Sequence, residues 1–114
     1  MPRKGKGRMQ DVVVFAYDDD AVTARLTCEI DHHTARQIRE KIDGEIFTHR
    51  PHVVYLDFSE VRFMDSSGIG LIIGRSQVCD AVGSAVRLVG LSSRLMKLVR
   101  LSGVEKIRNV FIEK

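Results

Sequence analysis

The sequence predicts an α/β fold in which a mixed, mainly parallel sheet carries helices packed on it. Three observations predict it. Short β-branched runs alternate with longer segments of helical periodicity. The first two strand-like runs are separated only by a polar turn, the mark of an antiparallel hairpin. The helical segments open on capping residues and close at Gly or before Pro. The predicted order is β-β-α-β-α-β-α-β. With 114 residues and no internal repeat or linker, the chain has the size of one domain.

Val12 to Tyr17 reads as the first strand, Asp18-Asp19-Asp20 as a solvated turn, and Val22 to Cys28 as the second strand. In the second, Val22, Ala24, Leu26 and Cys28 share one face, opposite Thr23, Arg25 and Thr27. Asp31 or Thr34 caps a helix whose apolar stripe is Ala35, Ile38, Ile42 and Ile46. Arg36, Arg39, Glu40 and Lys41 fall on its wet face, and Arg50-Pro51 ends it. Val53 to Phe58 is a strand buried on at least one side. Ser66 to Val82 is the second helix, with Ile69, Ile72, Ile73 and Val82 as core candidates and Gly83 as its stop. Val86 to Val89 forms a strand. Ser93 to Leu101 is a helix striped by Leu95, Leu98 and Val99 and closed by Gly103, and Ile107 to Ile112 completes the sheet.

Composition narrows the function classes. The formal charge is +3, but Arg3, Lys4, Lys6 and Arg8 crowd the first eight residues. Removing these four charges leaves −1 on the rest, so the folded part is not a basic nucleic-acid binder. Residues 1–9 read as a disordered basic tail. Trp is absent and aromatics are few, poor material for stacking bases. No apolar run reaches the roughly 18 residues of a membrane span, and the N-terminus lacks a signal-like apolar stretch, so a cytoplasmic protein is expected. Cys28 and Cys79 are expected as small buried residues rather than a disulfide.

Several catalytic patterns fail on spacing. Asp31-His32-His33 cannot converge on one metal ion from adjacent positions, and no second cluster supplies further ligands. Gly68-Ile69-Gly70 with Gly74 is neither a phosphate loop with its Lys nor a dinucleotide fingerprint; these glycines are expected to let the second helix pack closely. No His is anchored near Ser66 as the base of a serine hydrolase, and His49 and His52 are expected in solvent.

The informative stretch is Val53 to Gly70, VVYLDFSEVRFMDSSGIG. A strand ends, a loop with Phe63 and Met64 follows, and Asp65-Ser66-Ser67-Gly68 opens a helix. A hydroxyl at a helix N-terminus is exposed, and the unpaired amides there can accommodate a phosphate attached to it.

MDSSGIG preceded by LDFSEV resembles the signature of STAS domains, in particular the anti-sigma-factor antagonists. IDHHTA at 30–35 resembles the sporulation members more closely than the general-stress members, and LSGVEKI at 101–107 is similar to the family's loop after the last long helix. These blocks keep the family's order, and the resemblance covers residues 10–114, which are expected to form the STAS domain. Many relatives carry Gly where this chain has Cys28 before Glu29.

The resemblance implies a STAS fold and a binding module with no catalytic residue, cofactor or metal. It implies that the unphosphorylated protein binds an anti-sigma factor that is also a serine kinase, releasing a sigma factor. That kinase would phosphorylate Ser66, beside the flanking acid Asp65 and the unmodified neighbour Ser67, and a serine phosphatase would reverse the modification. The implied partner-binding set is Asp31, His32, Asp65, Ser67, Gly68, Ile69 and Ser92. No direct nucleic-acid or membrane partner is implied, and the free protein is expected to be a monomer. The competing expectation is the same phospho-switch in a general stress-response or other signalling complex.

In a parallel sheet the loops after the strand C-termini gather along one edge. The loops at 28–34, 59–66 and 90–93 are of this kind, so Ser66 is expected to share a surface with Asp31, His32, Asp65 and Ser92. A phosphate there adds about −1.5 to −2 charges, which would block docking and leave the fold intact.

Overall fold

The computed structural model describes residues 11–113, and the basic tail expected over 1–9 lies outside them. The elements are β1 (Val13–Asp18), β2 (Ala21–Leu26), α1 (His32–His49), β3 (Val53–Asp57), α2 (Ser66–Ala81), β4 (Ala85–Val89), α3 (Ser93–Ser102), a 3-10 turn (Val104–Lys106) and β5 (Val110–Ile112). The five strands lie in the order β1-β2-β3-β4-β5. β1 is antiparallel to β2, and all other pairs are parallel.

Asp18 pairs with Ala21 across the Asp19-Asp20 turn, as the hairpin reading requires. Val22, Ala24 and Leu26 are buried along one face of β2, with Val54 and Leu56 of β3 and Val86 and Leu88 of β4 beside them. Since strand order follows chain order, right-handed crossovers place all three helices on that face. Ile38, Ile42 and Ile46 of α1 and Leu95 and Val99 of α3 close the core from above. Cys79 is fully buried, Cys28 is half-buried, and both thiols are free. No helix among the described residues is long and apolar enough to cross a membrane.

Two expectations need correction. Ile73 was expected in the core, yet it is exposed. At 100° per residue α2 cannot turn both Ile69 and Ile73 inward while seating Gly68, Leu71, Ile72, Arg75, Ser76 and Cys79, which are the buried set. Ile69 and Val82 are half-buried. The last strand is also shorter than Ile107 to Ile112. Gly103, at φ 82°, turns the chain into the 3-10 segment, and Asn109 is buried just before β5. The Asn109 amide donates to the Ser76 carbonyl (2.9 Å) and the Ser84 carbonyl (3.1 Å), tying the end of α2 to the sheet.

Parallel pairing puts the loops after β2, β3 and β4 on one edge of the sheet. β1, running the other way, begins at that same edge. There the Thr27 amide donates to the Val12 carbonyl (3.1 Å), and the Thr27 hydroxyl donates to the Asp11 carbonyl (3.0 Å).

Candidate functional site

Two of these loops are joined by main-chain hydrogen bonds beyond the ends of their strands. The Ile30 amide donates to the Phe63 carbonyl (3.1 Å), and the Asp65 amide donates to the Ile30 carbonyl (3.1 Å). Ile30 and Met64 form an isolated parallel bridge, and both side chains are buried. The N-termini of α1 and α2 are thereby fixed side by side, each capped by an aspartate.

Asp31 accepts from the amides of His33 and Thr34, both at 2.9 Å, while its own amide donates to the Thr34 hydroxyl (3.0 Å). Both residues named as possible caps therefore act together, as N-cap and third residue of one capping box. The Thr34 amide, helped by that of His33, holds the Asp31 carboxyl below its usual range. Cys28 needs no left-handed backbone; among the described non-glycine residues only Arg50 has positive φ.

Asp65 accepts from the Ser67 amide at 2.7 Å, and its carbonyl accepts from the Gly68 amide at 2.9 Å. Ser66 is the first residue of α2 and is exposed, and Ser67 beside it is half-buried. The preceding loop lies directly on this first turn. A Cβ on Gly68 would stand 2.5 Å from the Met64 sulfur, so any larger residue there forces the Met64 side chain to shift.

Asp31, His32, Asp65, Ser66 and Ser67 are thus brought to one surface. Gly68 is buried beneath it and Ile69 is half-buried. Ser92 sits in the next loop along the edge, exposed, and caps α3 by accepting from the Leu95 amide (3.2 Å). That loop packs on the end of β3 through Gly90 (φ 72°), where a Cβ would meet Asp57 Oδ1 at 2.8 Å and the Ser59 nitrogen at 2.9 Å.

A groove of about 620 Å³ runs from this surface between α1 and α2. His32, His33, Arg36 and Arg39 line it on α1; Ser67, Gly70, Gly74 and Arg75 line it on α2. Arg75 is buried, with Nε 2.8 Å from Asp43 Oδ1 and Nη2 donating to Asp43 Oδ2 at 3.2 Å. Burial lowers the Arg75 pKa against the opposing pull of Asp43, and neighbouring Arg39 lowers it further. The expectation that the glycines serve close packing holds at Gly68 alone. A Cβ at Gly70 or Gly74 would meet nothing within 4 Å. Sequence reasoning passed over Arg36 and Arg39 because they lie off the apolar stripe. The i, i+4, i+7 run of His32, Arg36 and Arg39 along one flank of α1 was the available signal.

The pattern of the STAS domain family matches residues 13–113. An anti-sigma F factor antagonist of Lysinibacillus sphaericus is 36% identical over 85 residues, covering 75% of this chain and 73% of that protein. An anti-sigma-B factor antagonist of Listeria monocytogenes is 32% identical over 91 residues, covering 79% of this chain and 78% of the relative. Among solved structures, the anti-sigma factor antagonist SpoIIAA in its unphosphorylated form superposes with TM-score 0.75 at 31% identity, covering 90% of this chain and 88% of that one. The phosphorylated form of the Bacillus cell fate determinant SpoIIAA gives TM-score 0.68 at the same identity, covering 90% and 91%.

Proposed function

This chain belongs to the STAS domain family, and we propose that it is an anti-sigma factor antagonist whose docking is switched at Ser66. One observation carries the assignment. Ser66 is an exposed hydroxyl on the first turn of α2, directly after its Asp65 cap, on an edge built from two adjoining helix N-termini. In the unphosphorylated state this edge binds an anti-sigma factor that is also a serine kinase, and a sigma factor is released. The kinase transfers phosphate to Ser66, and a serine phosphatase removes it. The protein works as a monomeric binding module in the cytoplasm and not as an enzyme.

The physics of the switch is local. Asp65 already takes up the Ser67 amide, and Asp31 takes up two amides of α1. A phosphate on Ser66 therefore adds about −1.5 to −2 charges beside two carboxylates, with the helix dipole as partial compensation. An exposed surface tolerates that; an interface that must desolvate the dianion does not. The likeness to both the unphosphorylated and the phosphorylated forms of SpoIIAA supports a fold that survives modification.

The IDHHTA block favours the sporulation pathway. The anti-sigma-B relatives, at 32% identity, keep a general stress-response role as the second reading. Incubation with the cognate kinase and ATP, followed by peptide mass mapping, tests the assignment. The expected phosphate is on Ser66; a phosphate on Ser67 or Ser59 overturns it. Ser66→Asp should lose stable binding with its circular dichroism spectrum unchanged, and Ser66→Ala should bind but resist phosphorylation.

A further inference from the structure

We propose that the groove between α1 and α2 receives an acidic segment of the same anti-sigma factor, extending the docking surface from Ser66 along the two helices. This rests on the reading of Ser66 as the docking centre.

Charge is the first argument. Arg36, Arg39 and Arg75 bring three guanidiniums to the groove, and Asp43 is the carboxylate that answers one of them. Among the described residues, neither Arg36 nor Arg39 has a carboxylate within ion-pairing distance; Glu40, exposed on the same helix, does not pair with them. Arg39 is close enough to disfavour the charge on Arg75, so like charges converge here, with Asp43 compensating Arg75 and no carboxylate pairing with Arg36 or Arg39. A carboxylate-bearing chain supplies what is missing, and guanidinium groups suit it.

Space is the second argument. Glycine in a helix interior costs about 0.8–1 kcal/mol relative to alanine. α2 carries that cost at Gly70 and Gly74, where a methyl group would touch nothing of this chain. Their effect is to keep the groove wide beside the guanidiniums. Continuity is the third: His32 and Ser67 line both the groove and the Ser66 surface, so one partner can cover the two without a gap.

The test uses the full chain and its cognate anti-sigma factor, with affinity measured at low and high salt. Arg36→Glu combined with Arg39→Glu should weaken binding about tenfold or more at low salt and flatten the salt dependence. A control with the same charge change on exposed residues elsewhere, Arg100→Glu with Lys106→Glu, should bind like wild type. Gly70→Ala combined with Gly74→Ala should raise the melting temperature and still lower affinity, a pairing that damage to the fold does not produce.

Wild-type affinity in both groove variants overturns the proposal while leaving Ser66 in place, provided Ser66→Asp still abolishes binding. Equal weakening in the control also overturns it, because net charge alone then explains the effect. Self-association of wild type that the Arg36/Arg39 variant abolishes, with unchanged affinity for the anti-sigma factor, assigns the groove to the acidic turn of a second copy and overturns it. Absence of binding by wild type removes the Ser66 reading together with the groove.

Discussion

Arg75 and Asp43, 32 residues apart, meet across the α1–α2 interface with Nε 2.8 Å from Oδ1. The guanidinium is buried, whereas the Asp43 side chain keeps 26% of its exposure. Removing the acid strands a cation in a poorly solvated place. Asp43→Ala should therefore cost roughly 2–4 kcal/mol in urea unfolding. Replacing both partners with Leu should recover most of that loss.

Gly68 and Met64 set a steric limit at the start of α2. Gly68→Ala gains up to about 1 kcal/mol of helix propensity. It also forces a methyl group against the Met64 sulfur, Cγ and Cβ, at 2.5, 3.0 and 3.2 Å. Overpacking of this kind costs about 1–3 kcal/mol, so a net loss of stability is expected. Combining it with Met64→Ala should give strong non-additivity in a double-mutant cycle, because the two residues touch.

Asp65 should behave as a cap whatever its role in docking. Asp65→Ala should lower stability by about 1 kcal/mol, and Asp65→Asn by much less, because the amide oxygen can still accept from Ser67. Equal losses in thermal melts would show that charge rather than hydrogen bonding matters there.

Cys79 predicts an alkaline weakness. Burial pushes its thiol up to about 12 from an ordinary value of 9.0. The unfolded chain ionises near 9 while the folded chain keeps its proton, so this contribution is full below pH 9 and is lost as pH rises toward 12. Melting temperatures should fall more steeply above pH 9 in wild type than in Cys79→Ala. Cys28 is raised in the same direction by burial but is present in both proteins, so the comparison isolates Cys79.

The elements were legible because their signals are local. Ile38, Ile42 and Ile46 repeat at helical spacing, and Asp31, Asp65 and Ser92 announce helix starts before any contact is known. The exposure of Ile73 was hidden, since α2 is apolar on most sides and its period alone does not select a face. Arg75 was hidden for the opposite reason: a charge in mid-helix reads as surface until its distant partner is found. The short β5 depends on Asn109 reaching two carbonyls on other elements, which no local pattern encodes. In the site, Ser66 stood out because a motif marks it. The groove did not, because it is a relation between two helices, and Gly70 and Gly74 contribute only by lacking side chains.

The direction of β1 matters at the bench. The chain enters the sheet at Asp11 and Val12, bonded to Thr27 a few residues before Asp31, on the edge that also carries Ser66. The other terminus leaves the same edge from β5, beyond β3 and β4 on the far side of the sheet. A label at either end therefore sits along this edge, nearer Asp31 at the start of β1 and nearer the Ser92 loop at the end of β5.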